Sequence, residues 1–293
     1  MTAVASTLVD GRQRSRALAR LKRNRLLTIG ALLLLVVAGV ALLAPLIAPS
    51  SPIKQSFAPL QAPSASHWFG TDEVGRDVLS RVVFGSRVSV LFAVLLVVCA
   101  MVIGGLVGVV AGFFGGVVDE VLMRIVDLVF AFPIIILAMA VAASLGPSLH
   151  NAVIAGVLVS WPMYARTVRG LVMSLREADF VAANRLAGVG SMRSMFIDVL
   201  PSVAGPILVL ATMEVGGAIL LLAGLSFLGL GAQPPEAEWG SMISAGINYF
   251  NSWWIAVFPG LAIMLVALAF NLIGDGLRDW LDPQTKQIVD RSS

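Results

Sequence analysis

Long uncharged stretches alternate along this chain with short polar ones, and their lengths set the first reading. Leu26–Ala48 runs 23 residues without a charge, enough for a helix to cross a hydrocarbon layer about 30 Å thick. Val88–Val118 is a second such run, studded with Gly104, Gly105, Gly108 and Gly112, small residues that let helices approach closely in lipid. No Asp, Glu, Lys or Arg stands between Leu128 and Ala165. Gly146-Pro147 divides that stretch into two spans joined by a tight turn. Pro201, suited to a first helical turn, opens a fifth run to about Leu225, and Trp254–Gly274 is the sixth. The pattern predicts an all-α polytopic membrane protein with six transmembrane helices.

The polar stretches carry their own signals. After the turn formers Pro49, Pro52, Pro59 and Pro63, Gly70-Thr71-Asp72 opens a short helical pattern with Thr71 or Asp72 as N-cap. Val74, Val78 and Val82 recur at helical spacing, and Asp72/Arg76 and Asp77/Arg81 are acid-before-base pairs at i,i+4. An amphipathic helix at the membrane surface is therefore expected within 49–87. The segment 166–201 is polar. Within it Arg176–Gly188 has helical spacing, small residues and a terminating glycine, and Ser191–Leu200 continues helically into Pro201. Such a small-residue face admits another protein's groove close to the backbone, with Arg176, Glu177, Asp179 and Arg185 as rim charges; an ordinary solvated loop fits the same residues. Ser226–Trp254 contains Trp239, Tyr249, Trp253 and Trp254, residues at home where membrane meets water.

Composition agrees with this picture. Of 293 residues, 58% are hydrophobic and 13% charged, against roughly a quarter charged in soluble domains. Charge placement adds orientation. With the N-terminus inside, the inner segments hold 16 Lys and Arg and the outer ones four, Lys54, Arg76, Arg81 and Arg87. That asymmetry puts both termini in the cytoplasm. Seven of the sixteen lie in residues 1–25, where they can also rest on anionic headgroups. The apolar run that follows is too long for a cleavable signal peptide. The core is then 88–277, with an outer loop at 226–253 and a polar tail at 278–293.

Candidate chemistry is sparse. The dipeptide Gly-Lys does not occur, so no phosphate-binding loop is present. His67 and His150 have no cysteine or carboxylate cluster beside them, which argues against a metal site. No Gly-x-Ser-x-Gly elbow occurs, and Cys99 is a lone thiol in an apolar run. We expect no catalytic residue and no cofactor in this chain, and no nucleic-acid partner. Two carboxylates interrupt apolar stretches. Asp127 is read as a helix-end partner of Arg124 or of a neighbouring subunit. Glu214, near the middle of the fifth span, either lines a pathway or bonds a neighbouring helix; Asn271 is a second pathway candidate.

The central segment resembles the EAA loop of ABC-importer permeases. Ala182-Ala183-Asn184 stands where that pattern begins, Gly188 holds its glycine, and Val199-Leu200-Pro201 closes it; Ala182 and Asn184 depart from the pattern. Ordered motifs elsewhere are similar to the C-type subunit of the dipeptide/oligopeptide permease family. They are Arg23-Asn24-Arg25, Phe69–Arg81, Met123–Asp127 with Ala131-Phe132-Pro133, and Gly224–Gly231. Gln233-Pro234-Pro235, Glu238-Trp239-Gly240 and Gly274–Asp279 complete the series.

The resemblance implies a type I importer in a bacterial inner membrane. Its partners would be a homologous second permease, two cytoplasmic ATPase subunits holding ATP and Mg, an extracytoplasmic binding protein and surrounding lipid. ATPase coupling would fall on Arg176, Glu177, Asp179, Ala182, Ala183, Arg185, Gly188, Arg193, Leu200 and Pro201. Docking of the binding protein would fall on Thr71, Asp72, Arg76, Asp77, Glu238 and Trp239. Nickel, haem or glutathione as cargo stays open beside peptides, and a secondary transporter is a more distant alternative.

Overall fold

The computed structural model describes residues 25–178, 184 and 190–281, and every described element is helical apart from one isolated bridge between Thr71 and Asp77. In chain order these are α1 (Arg25–Leu42), α2 (Ala44–Ile47), α3 (Val78–Phe114), α4 (Gly116–Phe130), α5 (Ile134–Leu145) and α6 (Leu149–Arg176). They continue with α7 (Ser191–Ser194), a π-turn (Met195–Val199), α8 (Leu200–Phe227), α9 (Trp239–Ile247), a 3₁₀ turn (Phe250–Ser252) and α10 (Trp254–Leu281).

Four helical runs are long and apolar enough to cross a membrane: Arg25–Leu42, Val78–Phe114, Met195–Phe227 and Trp254–Leu281. A fifth exists if α4 and α5 count as one span, although they meet at 88°. The bend falls at Ala131-Phe132-Pro133, because proline disfavours helical backbone in the residue before it. The third apolar run is thus a broken one. Helix α4, ahead of the bend, carries Asp119, Glu120, Arg124 and Asp127, while Val117, Val121, Ile125 and Leu128 form an exposed apolar stripe on it.

The amphipathic helix expected from Gly70 does not form. Gly70 and Gly75 adopt φ of 72° and 78°, a left-handed backbone incompatible with a helix. The Asp72 carboxylate instead accepts the backbone N–H groups of Val74 and Arg76 at 3.1 and 2.8 Å, closing a turn. The cap residue is Asp77, whose carboxylate accepts from Ser80 N at 2.8 Å. From Val78 one continuous helix of 37 residues enters the bilayer region. Pro201 stands in the first turn of α8, as its position suggested, but the helical path does not start afresh there. The helical backbone runs in from Ser191, and the π-turn over Met195–Val199 lies just ahead of the proline. A wider turn there relieves the clash between the ring and the carbonyl four residues back.

The most extensive helix contact joins α3 to α6, and its cause is a face without side chains. Gly104, Gly108 and Gly112 recur every four residues on α3. A Cβ built on Gly108 would stand 2.5 Å from the Ala165 carbonyl oxygen, and one on Gly112 2.9 Å from that of Arg169. Backbone therefore packs on backbone. α8 packs against α3, α6 and α10, α1 lies along α10, and α9 fits between α8 and α10.

Candidate functional site

Three polar regions are held by this frame: a cap over one end of the bundle, a group of ion pairs at the opposite end, and an isolated set halfway between.

The cap is built from 49–77 and 228–253. Arg81, in the first turn of α3, is its centre. Its guanidinium donates to the carbonyls of Pro52 (2.9 Å), Pro235 (3.3 Å) and Glu236 (3.1 Å), and its Nε lies 3.5 Å from Asp72. Asp72 also pairs with Arg76 Nε at 2.5 Å, and Arg76 reaches Glu73 at 2.9 Å. Thr71 donates to the Ala58 carbonyl and accepts from Gln61 N, both at 2.8 Å. The Trp254 indole donates to the Thr71 carbonyl at 3.0 Å. Across the cap, Trp239 donates its indole N–H to the Val82 carbonyl at 3.0 Å.

Glu238 caps α9, accepting from Gly240 N and Ser241 N at 2.8 and 2.9 Å. Burial pushes its carboxyl above the usual range, with those two hydrogen bonds opposing. A carboxyl raised in the fold stabilises it fully below the ordinary Glu range, and that stability is lost as pH rises through the folded value. Thermal unfolding of the solubilised protein should therefore show a midpoint that declines as pH climbs through that window. Glu238→Gln should flatten the slope, and an unchanged slope would refute the assignment.

Thr71, Asp72, Arg76, Asp77, Glu238 and Trp239 are all buried, none more than 7% exposed. Their polar atoms bond within the 49–81 turns on one side and to α3 and the start of α9 on the other, which sets the shape of the cap. Its surface belongs to side chains that sequence reasoning passed over as contacts: Trp68 at 71% and Phe250 at 87% exposure, with Glu236 on the rim.

At the opposite end α6 is tied to its neighbours through arginines. Arg169 holds Asp119 with both fork positions, one at 2.6 Å. Arg166 holds Asp127 at 2.6 Å and lies over the Phe130 ring. Asp127 thus pairs with α6 and not with Arg124, because α4 folds back across α6 and presents its acidic face there. Arg176 donates to the Phe113 carbonyl at 3.0 Å, and both Arg176 and Glu177 are exposed. Arg193, Leu200 and Pro201 are exposed too. Asp179, Ala182, Ala183, Arg185 and Gly188 lie outside the described residues. One organising residue had no sequence signal beyond its place before a proline: Asp198 accepts from Asn184 Nδ2 at 2.9 Å and Ser194 Oγ at 2.8 Å.

Halfway along α8, Glu214 is partly exposed, and Asn271 on α10 is exposed. Tyr164 on α6 is 1% exposed, and its hydroxyl has no partner among the described residues.

Residues 104–287 match the model of the binding-protein-dependent transport system inner membrane component family. The chain belongs to that family. The match takes in α6, the segment after it, α8 and α10, so the arginine-tied end and the mid-depth set both lie within the family domain. Residues 13–63 match the N-terminal TM domain of oligopeptide transport permease C. Full-length relatives extend the agreement. The chain is 45% identical over 272 residues to the dipeptide transport system permease protein of Alkalihalophilus pseudofirmus, covering 92% of this chain and 90% of that one. It is 46% identical over 274 residues to the Escherichia coli protein of that description, 91% of each. With the Haemophilus influenzae protein it shares 41% over 274 residues, 91% of this chain and 93% of the other.

Proposed function

We propose that this chain is the membrane-spanning permease subunit of an ATP-driven importer of di- or oligopeptides. The observation that carries the reading is similarity of 41–46% along about nine-tenths of both chains to proteins described as dipeptide permeases. Transport by a binding-protein-dependent family needs three contacts on one subunit: an outer dock, a path and an energy input. The polar regions supply a candidate for each.

In this reading the chain has six spans with both termini in the cytoplasm of a bacterial inner membrane, α6 serving as the fourth despite its arginines. Those arginines lie toward its inner end, where ion pairing offsets the cost of their charge. A homologous permease completes the path, and two cytoplasmic ATPase subunits holding ATP and Mg dock on 176–201. Arg176, Glu177, Arg193, Leu200 and Pro201 are exposed for that contact. An extracytoplasmic binding protein seats on the cap, whose buried residues Thr71, Asp72, Arg76, Asp77, Glu238 and Trp239 hold Trp68, Glu236 and Phe250 in place. Closure of the ATPases biases the two arrangements of the bundle through the short segment between α6 and α8.

The test is reconstitution of the chain with the partners that co-purify with it. Labelled dipeptide should accumulate in proteoliposomes only with ATP and a loaded binding protein. Accumulation driven by an ion gradient without ATP would refute the reading, as would purification without an ATPase.

A further inference from the structure

Glu214 stands apart from every other described charge. α8 has 28 residues and is about 42 Å long, so the Glu214 backbone lies about 21 Å from either end. The arginines of α6 are committed elsewhere: Arg166 to Asp127, Arg169 to Asp119 and Arg176 to the Phe113 carbonyl. Among the described residues the Glu214 carboxylate accepts no hydrogen bond and makes no ion pair. The Tyr164 hydroxyl is within its electrostatic reach but is itself unpartnered. An uncompensated carboxylate facing hydrocarbon is costly, so such a group faces protein or a wet cavity.

Packing indicates which side it faces. α8 and α10 run antiparallel in register, with Gly216 against Ala267 and Met213 against Gly274. Those two contacts place residues 269 to 273 of α10, centred on Asn271, level with Glu214. At 100° per residue, Met213 and Gly216 face α10, while Val215, Ala218, Ile219 and Leu222 are buried on the opposite side. Glu214 borders the open sector between them, its carboxylate over the exposed backbone of Gly217, 3.8 Å from where a Cβ would stand. Because the helices are antiparallel, the exposed stripe of α10 that includes Leu261, Met264, Leu268 and Asn271 opens to the same side. The open side between α8 and α10 thus carries a carboxylate and a carboxamide at one level, with Asp275 and Arg278 following on the same stripe one and two turns further along α10.

We propose that Glu214, with Asn271 level beside it, is a mid-membrane station for the ammonium group of the transported solute. The inference rests on the importer reading and adds the chemistry of the path: a cationic amine replaces the missing counter-charge, and Asn271 offers its carboxamide oxygen as a second acceptor. Every peptide with a free N-terminus carries such a group.

The test uses the assembled complex in nanodiscs without binding protein, probed by saturation-transfer NMR with glycylglycine and with N-acetylglycylglycine. In the wild-type complex, the methylene protons beside the ammonium should receive saturation, and the acetylated peptide should receive at least fivefold less. Glu214→Gln should reduce the glycylglycine signal at least fivefold, and Asn271→Ala by a smaller factor. Equal signals from the two peptides, or a Glu214→Gln signal equal to wild type, would overturn the proposal. Loss of the second permease from the Glu214→Gln complex would identify that partner's basic side chain as the counter-charge, and would overturn it too. ATP-driven dipeptide uptake by the wild-type complex tests the importer reading separately, so the two can fail independently.

Discussion

Gly104→Val is expected to abolish the folded permease, while Gly105→Ala, one residue away, leaves it intact or slightly more stable. A Cβ on Gly104 would overlap the Trp161 carbonyl oxygen and stand 2.7 Å from Tyr164 Cβ. The obstruction is largely backbone, so no side-chain rotation relieves it, and α3 must part from α6 along their main contact. Glycine in a helix costs about 1 kcal/mol relative to alanine, which a substitution recovers; overpacking against backbone costs about 3 kcal/mol or more. The second term dominates at Gly104. At Gly105 nothing stands within 4 Å, so only the first applies. Size-exclusion profiles and thermal unfolding in detergent read both. A monodisperse Gly104→Val protein with a wild-type midpoint would refute the backbone-contact account.

Arg81→Met is expected to open the cap and abolish stimulation by the binding protein, with membrane insertion unchanged. The guanidinium satisfies carbonyls from two segments 183 residues apart in sequence, at Pro52 on one side and Pro235 and Glu236 on the other. Removing it leaves three carbonyls without that donor and Asp72 short of one of its two cations. Breaking a buried charged network by deleting one member costs about 3–5 kcal/mol. Arg81→Lys keeps the charge and cannot reach in both directions, so it should rescue only in part. Limited proteolysis in 49–77 distinguishes the three proteins; equal cleavage rates would show that the cap does not depend on this residue.

These expectations also mark what the chain discloses before folding. Hydrophobic run length located α1, α3, α8 and α10, because a span must be long and apolar whatever it packs against. Partners were less legible. Asp77/Arg81 looks like a helical i,i+4 pair, but Asp77 turns to its own helix start and Arg81 turns to carbonyls far away in sequence. Asp72 and Thr71 read as caps by residue type, and two left-handed glycines turned them into a loop instead. Asp127 found Arg166 because breaks at Gly115-Gly116 and at Pro133 lay α4 beside α6, and no local rule gives the direction of either bend. The six residues read as a docking surface are buried, and their polar atoms find partners inside the fold. Glu214 was legible as an oddity from its position alone. Its relation to Asn271 depends on helix register, which the sequence does not contain.

The glycine seam between α3 and α6 has a mechanical corollary. With no side-chain layer between the two backbones, the pair has nothing to shear across, and it should turn as one stiff beam. α6 is about 42 Å long, so pivoting such a beam by about 10° about one end sweeps the other by about 7 Å. Compliance would have to come from the joints at its ends, Gly115-Gly116 after α3 and Gly146 ahead of α6, all with left-handed φ. Stiffening either joint should slow the stroke without altering the beam.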